Sequence, residues 1–419
     1  MRVLMLLFKD IHYDARVKRE AAALAQAGHE VIIACLEEFA EPPPKLAEGV
    51  TLWRYSITTK RLKRKVSPHQ GASPGHFAEP GHSRSKRAFS QLIMRLVRFP
   101  ALKLAKDVAA SVEFYRSIAQ DLQRHRVDVI HCHDLNTLPA GVRLARRFQT
   151  KLVYDSHELF NEMAGKSWLE KRIGYILERL LMPHIDHLIV VNSHVHRLFT
   201  KRYGPYPTTV VQNVPEAPDW NQAPPQEVLN LRQHFGLAPD DLLLLYQGGL
   251  NPERGLEECI QAVAMLPKTF KLVLIGDGRL KGYLEELVNH LQLEDRVFFF
   301  GQVPSEQLLW YTCQADVGLV VYKNTSLNNY YSTPNKIFEY LLAGIPTVAS
   351  DHPGKRLVAE EGTGVCVEET PEGIKDGILD VVAQMEMYRE RCREKRNQYS
   401  WQEERKKLIR TYRQLEALK

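Results

Sequence analysis

The sequence predicts an α/β protein of two doubly wound halves, each a parallel sheet with helices on both faces. Three observations lead to this prediction. Short apolar runs of strand length alternate with segments of helical period almost throughout the chain. At 419 residues the chain is too long for one ordinary hydrophobic core. A proline-rich stretch, residues 215–225, separates the alternation into two series.

The first series begins with an apolar run at residues 3–8, which is too brief for a secretory signal and is interpreted as a buried strand. A helix follows, with Asp14 as its N-cap and Gly28 at its end. The other strands of this half are predicted at residues 31–34, 129–131, 152–154, 187–191 and 209–211. We assign residues 1–212 to this N-terminal domain.

The second series follows a linker at residues 213–228 and forms a C-terminal domain at residues 229–394. Its strands are predicted at residues 242–246, 271–275, 297–300, 317–321, 347–349 and 364–367. The final segment, residues 395–419, is a charged helix that we expect to pack back on the N-terminal domain. Ligands of doubly wound sheets bind beyond the carboxyl ends of the strands, so two facing halves predict an active-site cleft between them.

The composition indicates in which cellular compartment the protein is expected. No apolar run approaches the ~20 residues that a membrane-spanning helix needs. The six cysteines are scattered and form no Cys-x-x-Cys pair, which favours a reducing compartment over a disulfide framework or a cysteine zinc site. We therefore expect a cytoplasmic protein.

The positive net charge resides in one basic insert, residues 54–106. It carries thirteen Lys or Arg against one acid, Glu79, so it holds +12 while the whole chain holds +6. Its second half predicts an amphipathic helix with an apolar face around Phe89. Two interpretations stay open: a solvated surface, or docking on anionic lipid at the inner face of the cell membrane. Nucleic acid is not expected, because no recognition motif or stacking platform accompanies the charge.

The strongest local signal is STPNKIFEYLLAG, residues 332–344. Pro334 suits the first turn of a helix that Ser332 or Thr333 can cap. A helix start offers N–H groups and a partial positive charge to a phosphate, and Lys336 adds a full charge. Glu339 lies one turn further along the helix, where its carboxylate could accept hydrogen bonds from two ribose hydroxyls. The alternative is an ordinary capped surface helix.

This segment resembles the donor-site signature of the family 4 glycosyltransferases, which have the GT-B fold. Further blocks resemble those of the family and occur in the same order: DVIHCHD (128–134), YDSHE (154–158), QNV (212–214), GGLNPERGL (248–256), LIGDG (274–278) and GQVP (301–304). Each block alone is weak, but the ordered set is specific. The similarity covers nearly the whole chain outside the basic insert.

The resemblance implies transfer of a sugar from a nucleoside diphosphate with retention at the anomeric carbon, without a metal or other cofactor. It implies that Glu339 binds the donor ribose, that Arg254 stabilises the diphosphate leaving group, and that His157 lies against the transferred sugar. Lys336 completes the catalytic set. The other donor-binding residues that it implies are Gly248, Gly249, Gly276, Val303, Ser332, Thr333, Pro334 and Asn335.

The acceptor is expected to be a glycan, a lipid-linked sugar or another surface polymer. We place His133 and Asp134, at the end of a strand, on the acceptor side. Asp14 and Arg16 have two interpretations, as acceptor-side residues or as an N-cap with its helix partner.

The sequence departs from the family pattern at the donor site. Tyr331 stands where the family often has the first Glu of Glu-x7-Glu, and Gly249 stands where it often has Arg. Arg254 occupies the position of the Lys that usually pairs with that Arg. One expected cation is therefore missing, and Lys336 or Arg16 is the candidate to replace it.

Other chemistries fit the sequence less well. His131 and His133 alternate on one strand and form at most half of a zinc site. Residues 155–158, DSHE, contain the residue types of a hydrolase triad, but residues so close in sequence seldom orient one another and no Gly-x-Ser-x-Gly motif is present. Dinucleotide oxidoreduction would require Gly-x-Gly-x-x-Gly after the first strand, and this motif does not follow residues 3–8. Within the family's fold, a sugar-nucleotide epimerase and a non-catalytic sugar-nucleotide-binding subunit stay open.

The membrane interpretation of the basic insert is testable by deletion. Removing residues 60–87 should weaken binding to anionic liposomes and make the remaining binding less sensitive to salt, because a cluster of exposed cations is lost. Liposome cosedimentation at several salt concentrations measures both effects. Unchanged binding would show that the insert is a solvated surface.

Overall fold

The computed structural model describes residues 1–39, 42–58, 100–163 and 165–417, with only the backbone of Tyr13 and residues 100–105. Most of the basic insert, including the helix predicted around Phe89, lies outside these residues. Within the described ranges, no helix is both long and apolar enough to cross a membrane.

The chain divides into two compact units, each discontinuous in sequence. Unit 1 contains Met1–Ser156, Ser167–Ile189 and Arg413–Lys419, and unit 2 contains His157–Lys166 and Val190–Tyr412. This division differs from the predicted boundaries, because residues 190–212 and most of the last helix belong to unit 2. Glu404 joins these two segments, since its buried carboxylate accepts a hydrogen bond from the Gln212 amide at 2.8 Å.

The first sheet has the strand order β3-β2-β1-β4-β5-β6-β7 in the described part of the chain. Its strands are β1 (Arg2–Leu7), β2 (Glu30–Leu36), β3 (Val50–Tyr55), β4 (Val129–His133), β5 (Lys151–Ser156), β6 (His187–Val190) and β7 (Thr208–Val210). Pairing is parallel from β3 across to β5. The sequence analysis missed β3, a partly exposed strand whose last residues it had placed in the basic insert.

The second sheet has the order β10-β9-β8-β11-β12-β13, and all its pairs are parallel. Its strands are β8 (Leu242–Gln247), β9 (Phe270–Ile275), β10 (Val297–Gly301), β11 (Val317–Val320), β12 (Thr347–Ser350) and β13 (Gly364–Val367). The strands of this sheet confirm those predicted for the second half, with small differences at their ends.

Helices accompany both sheets. In chain order they are α1 (Ala15–Gln26), α2 (Pro100–Asp121), α3 (Leu138–Phe148), α4 (Trp168–Leu181), α5 (Ser193–Tyr203), α6 (Leu231–His234), α7 (Leu256–Met265), α8 (Lys281–His290), α9 (Leu308–Thr312), α10 (Leu327–Tyr331), α11 (Asn335–Ala343), α12 (Leu357–Glu360), α13 (Pro371–Ala383), α14 (Met385–Lys395) and α15 (Trp401–Ala417).

Alternate residues of the central strands of the second sheet enter different apolar clusters. Leu243 and Leu245 of β8 belong to one cluster, whereas Leu244 and Tyr246 belong to another. Side chains of a strand alternate between faces, so both faces of this sheet are buried. This arrangement requires continuously apolar strands, which is the pattern that predicted the doubly wound fold.

Gly318 of β11 provides a test of the packing between this sheet and α11. A Cβ at Gly318 would lie 2.3–2.5 Å from atoms of the Tyr340 ring, which is fully buried and donates a hydrogen bond to the Leu245 carbonyl. Gly318→Ala should therefore lower the free energy of unfolding by about 1–3 kcal/mol, measured by denaturant titration. Gly282→Ala in α8 is the matched control, because a Cβ there meets nothing within 4 Å. Equal stability of the two variants would contradict this account.

Candidate functional site

Glycine turns follow β8 and β9 at their carboxyl ends. The order of the second sheet reverses between β8 and β11, which is where doubly wound sheets bind ligands. Gly248 and Gly276 have φ values of 121° and 141°, and a Cβ on Gly276 would lie 2.0 Å from the Gly248 carbonyl oxygen. Glycine is required because these two loops meet backbone to backbone. The predicted donor residues Gly248 and Gly276 are thus neighbours.

Three cationic side chains surround the ring of Tyr322, which follows β11. The Arg254 guanidinium carbon lies 4.2 Å from the ring centroid, the Lys355 ammonium 4.9 Å and the Lys336 ammonium 5.5 Å. Lys336 also lies 3.7 Å from the centroid of the Tyr246 ring. Aromatic faces attract cations, and here two rings bring three cationic groups together. The predicted residues Arg254 and Lys336 therefore do come together.

Burial disfavours the charged forms of the two lysines in this cluster. Lys336 is 7% exposed and Lys355 is fully buried. Burial, followed by the charge of Arg254, lowers the pKa of Lys336 to about 7 and the pKa of Lys355 to about 7. A ligand with two or more negative charges would relieve the repulsion and restore full charge to both lysines.

The sequence analysis missed Lys355, although it holds the loop that leads into α11. Its ammonium donates hydrogen bonds to the carbonyl oxygens of Asn329 at 2.5 Å and Ser332 at 3.2 Å. Thr333 then donates from its hydroxyl to the Gly354 carbonyl at 2.7 Å. The available signal was a single Lys shortly after β12, at the same edge of the sheet as the other cations.

The start of α11 corrects the predicted cap. Pro334 occupies the N-cap position and not the first turn, and no side chain caps the helix. Thr333 cannot cap it because its hydroxyl is committed to Gly354 and also accepts a hydrogen bond from Asn192 at 3.1 Å. The positive end of α11 therefore has no side-chain cap competing for its N–H groups, an arrangement that suits an anion.

Glu339 is held in a defined orientation by a side-chain relay. The Gln247 amide donates to its carboxylate at 2.5 Å, and the Gln247 carbonyl accepts a hydrogen bond from the Thr312 hydroxyl at 2.8 Å. Gln247 is 1% exposed, whereas Glu339 is half-buried and retains an accessible part. The sequence analysis assigned Glu339 but missed Gln247 and Thr312, which no local pattern distinguishes.

The remaining donor residues are distributed around this edge of unit 2. Val303 follows β10, whose last residue, Gly301, accepts a hydrogen bond from the Gly276 amide at 2.7 Å. Asn335 is exposed at the start of α11, and the Gly249 carbonyl accepts from the Tyr246 hydroxyl. A side chain at Gly249 would meet the Asn251 amide, since a Cβ would lie 2.6 Å from it.

His157 belongs to unit 2, although it directly follows β5 of the first sheet. Two residues later, the Leu159 amide donates a hydrogen bond to the Asn328 side chain in α10 at 2.9 Å. The half-buried His157 is therefore carried by a segment attached near Tyr331 and the start of α11. The local sequence placed it correctly after a strand but did not reveal this attachment.

Two of the predicted acceptor-side residues, Arg16 and His133, lie in a buried network of unit 1. The Arg16 Nε lies 2.9 Å from carboxylate oxygens of both Asp155 and Glu20. His133 Nδ1 lies 3.4 Å from the Asp155 carboxylate, and its ring stacks on that of His131 with centroids 4.3 Å apart. All five side chains are buried.

The other two predicted acceptor-side residues flank this network. Asp14 caps α1 by accepting a hydrogen bond from the Val17 amide, and it pairs with Lys9 at 2.8 Å. Asp134 follows β4 in the left-handed region, with φ of 62°. The sequence analysis missed Glu20 and did not assign Asp155 to a site.

Glu20, His131, His133 and Asp155 form a group that could hold a metal ion, because one ligand atom from each lies within 4.8 Å of the others. Arg16 already bridges the two carboxylates, so a cation would have to displace its guanidinium. Burial raises the pKa of Glu20 to about 7, although the charge of Arg16 opposes this shift. Burial works to lower the pKa of Arg16, but the charges of Asp155 and Glu20 outweigh it and raise the value.

Comparison with known proteins follows the same division of the chain. The family model described as "Glycosyl transferases group 1" matches residues 228–399, and the model described as "Glycosyl transferase 4-like domain" matches residues 13–214. The putative glycosyltransferase EpsD of Bacillus subtilis is 25% identical over 262 residues, which cover 59% of this chain and 65% of that relative, slightly less than two thirds of its length.

A second relative is the GDP-mannose-dependent alpha-(1-6)-phosphatidylinositol dimannoside mannosyltransferase of Mycobacterium tuberculosis. It is 24% identical over 294 residues, 67% of this chain and 72% of the relative. The crystal structure of Anabaena HepE in complex with UDP-glucose is similar in fold, with a TM-score of 0.68, 16% identity and coverage of 99% of this chain and 100% of that chain. The two family models together cover most of the chain, and both describe glycosyltransferases. The chain therefore belongs to the group 1, family 4 glycosyltransferases and has the two Rossmann-like sheets of the GT-B fold.

Proposed function

We propose that this protein transfers a sugar from a nucleoside-diphosphate donor with retention at the anomeric carbon and without a metal ion. The observation that carries the donor assignment is the convergence of Arg254, Lys336 and Lys355 on Tyr322, beside the uncapped start of α11. Retention and metal independence are proposed from the family resemblance. Together, the cations and the helix start offer the charge that a diphosphate requires.

The diphosphate is proposed to contact Arg254 and Lys336 directly. When the bond between the anomeric carbon and the phosphate oxygen breaks, negative charge develops on the leaving diphosphate. The Arg254 guanidinium is cationic and donates hydrogen bonds in a fork, which suits it to stabilise that charge. Lys336 is proposed to replace the cation that the family often has at the position of Gly249. Its ammonium lies beside the neighbouring Gly248, only 3.3 Å from where a Cβ of that residue would be.

The ribose is proposed to bind Glu339. A carboxylate accepts hydrogen bonds from two neighbouring hydroxyls, and the Gln247 amide already fixes its orientation. Val303 and Gly276 would offer backbone groups to the base. His157, Ser332, Thr333, Pro334 and Asn335 complete the donor side in this proposal.

The acceptor is proposed to be a glycan or lipid-linked hydroxyl compound, used by a cytoplasmic enzyme at the inner face of the cell membrane. A lipid-linked acceptor is supported by the similarity to the mycobacterial phosphatidylinositol dimannoside mannosyltransferase. Asp14, Arg16, His133 and Asp134 are proposed to serve the acceptor side through the network in unit 1.

Replacing Arg254 or Glu339 tests the donor site. Arg254→Ala should lower kcat by about 10²–10³-fold, because it removes charge from the developing leaving group. Glu339→Ala should weaken donor binding by about tenfold or more through lost ribose hydrogen bonds. Initial rates with a panel of sugar nucleotides measure both effects, and thermal unfolding checks that the variants fold.

Matched controls are Arg393→Ala and Glu286→Gln, which alter exposed charges of α14 and α8. Near-normal rates in both site variants would refute the assignment. Saturable donor binding with no turnover across many acceptors would instead support a non-catalytic sugar-nucleotide-binding subunit, and donor conversion without an acceptor would support an epimerase.

The lowered pKa values of the two lysines predict proton uptake on nucleotide binding. At pH 8 both amines are mostly neutral, because each pKa is about 7. A bound diphosphate raises both pKa values, so binding of UDP or another matching nucleoside diphosphate should be accompanied by uptake of about two protons at pH 8 and of far fewer at pH 6. Calorimetry in buffers of different ionisation enthalpy measures this uptake, and Lys336→Met should reduce it. Zero uptake at pH 8 with intact binding would contradict the role of the lysines.

A further inference from the structure

The helix α4 of unit 1 carries a concentrated set of exposed apolar side chains. Trp168 is 70% exposed, Leu180 65% and Ile176 55%, and Leu169 and Leu177 are also exposed. Among the described residues, these five form the densest group of exposed large apolar side chains. Single exposed apolar residues are ordinary on protein surfaces, but a cluster on one short helix indicates an interaction surface.

The exposed face of α4 is apolar and cationic. At 100° per residue, Trp168, Leu169, Ile176 and Leu180 share an arc with Arg172 and Arg179, which are also exposed. The Arg172 guanidinium lies 5.4 Å from the Trp168 ring centroid. The outward face of this helix therefore presents bulky apolar groups interspersed with arginines.

Both acids of α4 are engaged away from this face. Glu170 closes a capping box with Ser167 at the helix start. Glu178 is buried and accepts a hydrogen bond from the Tyr154 hydroxyl at 2.8 Å. At 100° per residue, neither Glu170 nor Glu178 lies on the arc that carries Arg172 and Arg179.

The adjacent helix α3 extends the positive charge. Arg143, Arg146 and Arg147 are exposed on α3, which packs beside α4. Arg146 donates a hydrogen bond at 2.7 Å to His184, three residues after the end of α4. The cationic border thus reaches the end of the apolar face.

We propose that the exposed face of α4 docks on an anionic lipid surface. Trp168, Ile176 and Leu180 would enter the boundary between headgroups and acyl chains, while the arginines of α3 and α4 contact lipid phosphates. Helices of this composition lie in the plane of a bilayer interface, and their arginines keep the charged ends at headgroup level. A second copy of the chain fits less well, because pairing two such faces would bring like charges together.

This surface contains none of the residues of the proposed donor site and none of residues 54–106, so its test does not depend on the proposed reaction. The variant Trp168→Ser/Ile176→Ser/Leu180→Ser in the full chain should bind vesicles of phosphatidylcholine with about a third phosphatidylglycerol at least about tenfold more weakly than the wild type. Met265→Ser/Met387→Ser, which alters exposed apolar residues of unit 2, should leave vesicle binding unchanged. The far-UV circular dichroism and thermal unfolding of the α4 variant should match those of the wild type, which shows that the protein is folded.

A second measurement follows the inserted side chain itself. Brominated phosphatidylglycerol vesicles should quench part of the wild-type tryptophan fluorescence, and Trp168→Phe should remove most of that quenching. Equal vesicle binding by the α4 variant, or quenching unaffected by Trp168→Phe, would overturn the proposal. A wild type that sediments as a dimer and an α4 variant that sediments as a monomer would overturn it too, in favour of self-association.

Discussion

The donor site proposed for unit 2 depends on three cationic side chains that lie together at one edge of its parallel sheet. Arg254, Lys336 and Lys355 surround Tyr322, and both lysines are almost completely removed from water. Burying charge is costly unless a partner compensates it. Aromatic rings and two backbone carbonyls supply part of that compensation here, and the lowered pKa values of both lysines show that it is incomplete. A diphosphate would complete it.

Glycine makes this arrangement possible. The loops after β8 and β9 touch through backbone atoms, since a Cβ on Gly276 would overlap the Gly248 carbonyl. A similar constraint applies at Gly354, where a Cβ would lie 2.3 Å from the Ser332 carbonyl oxygen. Lys355 and Gly354 together fix the loop before α11, so the position of the helix start depends on residues outside the segment that first indicated a donor site.

In the buried network of unit 1, the buried charges are compensated in a different way. There Arg16 lies between two carboxylates, and stacked histidines adjoin them, so cationic and anionic groups compensate one another internally. Burial raises the pKa of Glu20 to about 7, against the opposing charge of Arg16. The cluster of unit 2 thus combines three cationic groups, whereas the network of unit 1 pairs cationic with anionic groups.

The sequence alone determined the two α/β halves, because buried parallel strands require continuous apolar runs that periodicity detects. It also singled out Arg254, Lys336 and Glu339 as candidate donor-site residues, since each lies in a block whose order along the chain resembles that of a family. It missed the edge strand β3, whose partly exposed residues lack a continuous apolar pattern.

Only the tertiary structure decided what surrounds these residues. Gln247 and Lys355 lie 92 and 23 residues from the groups that they bind, Glu339 and Ser332, and no local spacing connects them. The exposed face of α4 was likewise not evident, because its apolar period suggests a buried stripe until burial is measured. Local sequence specifies strands and helix starts, because these depend on short-range sterics and hydrogen bonding. Which charged side chains from distant parts of the chain are buried close together depends on the tertiary fold.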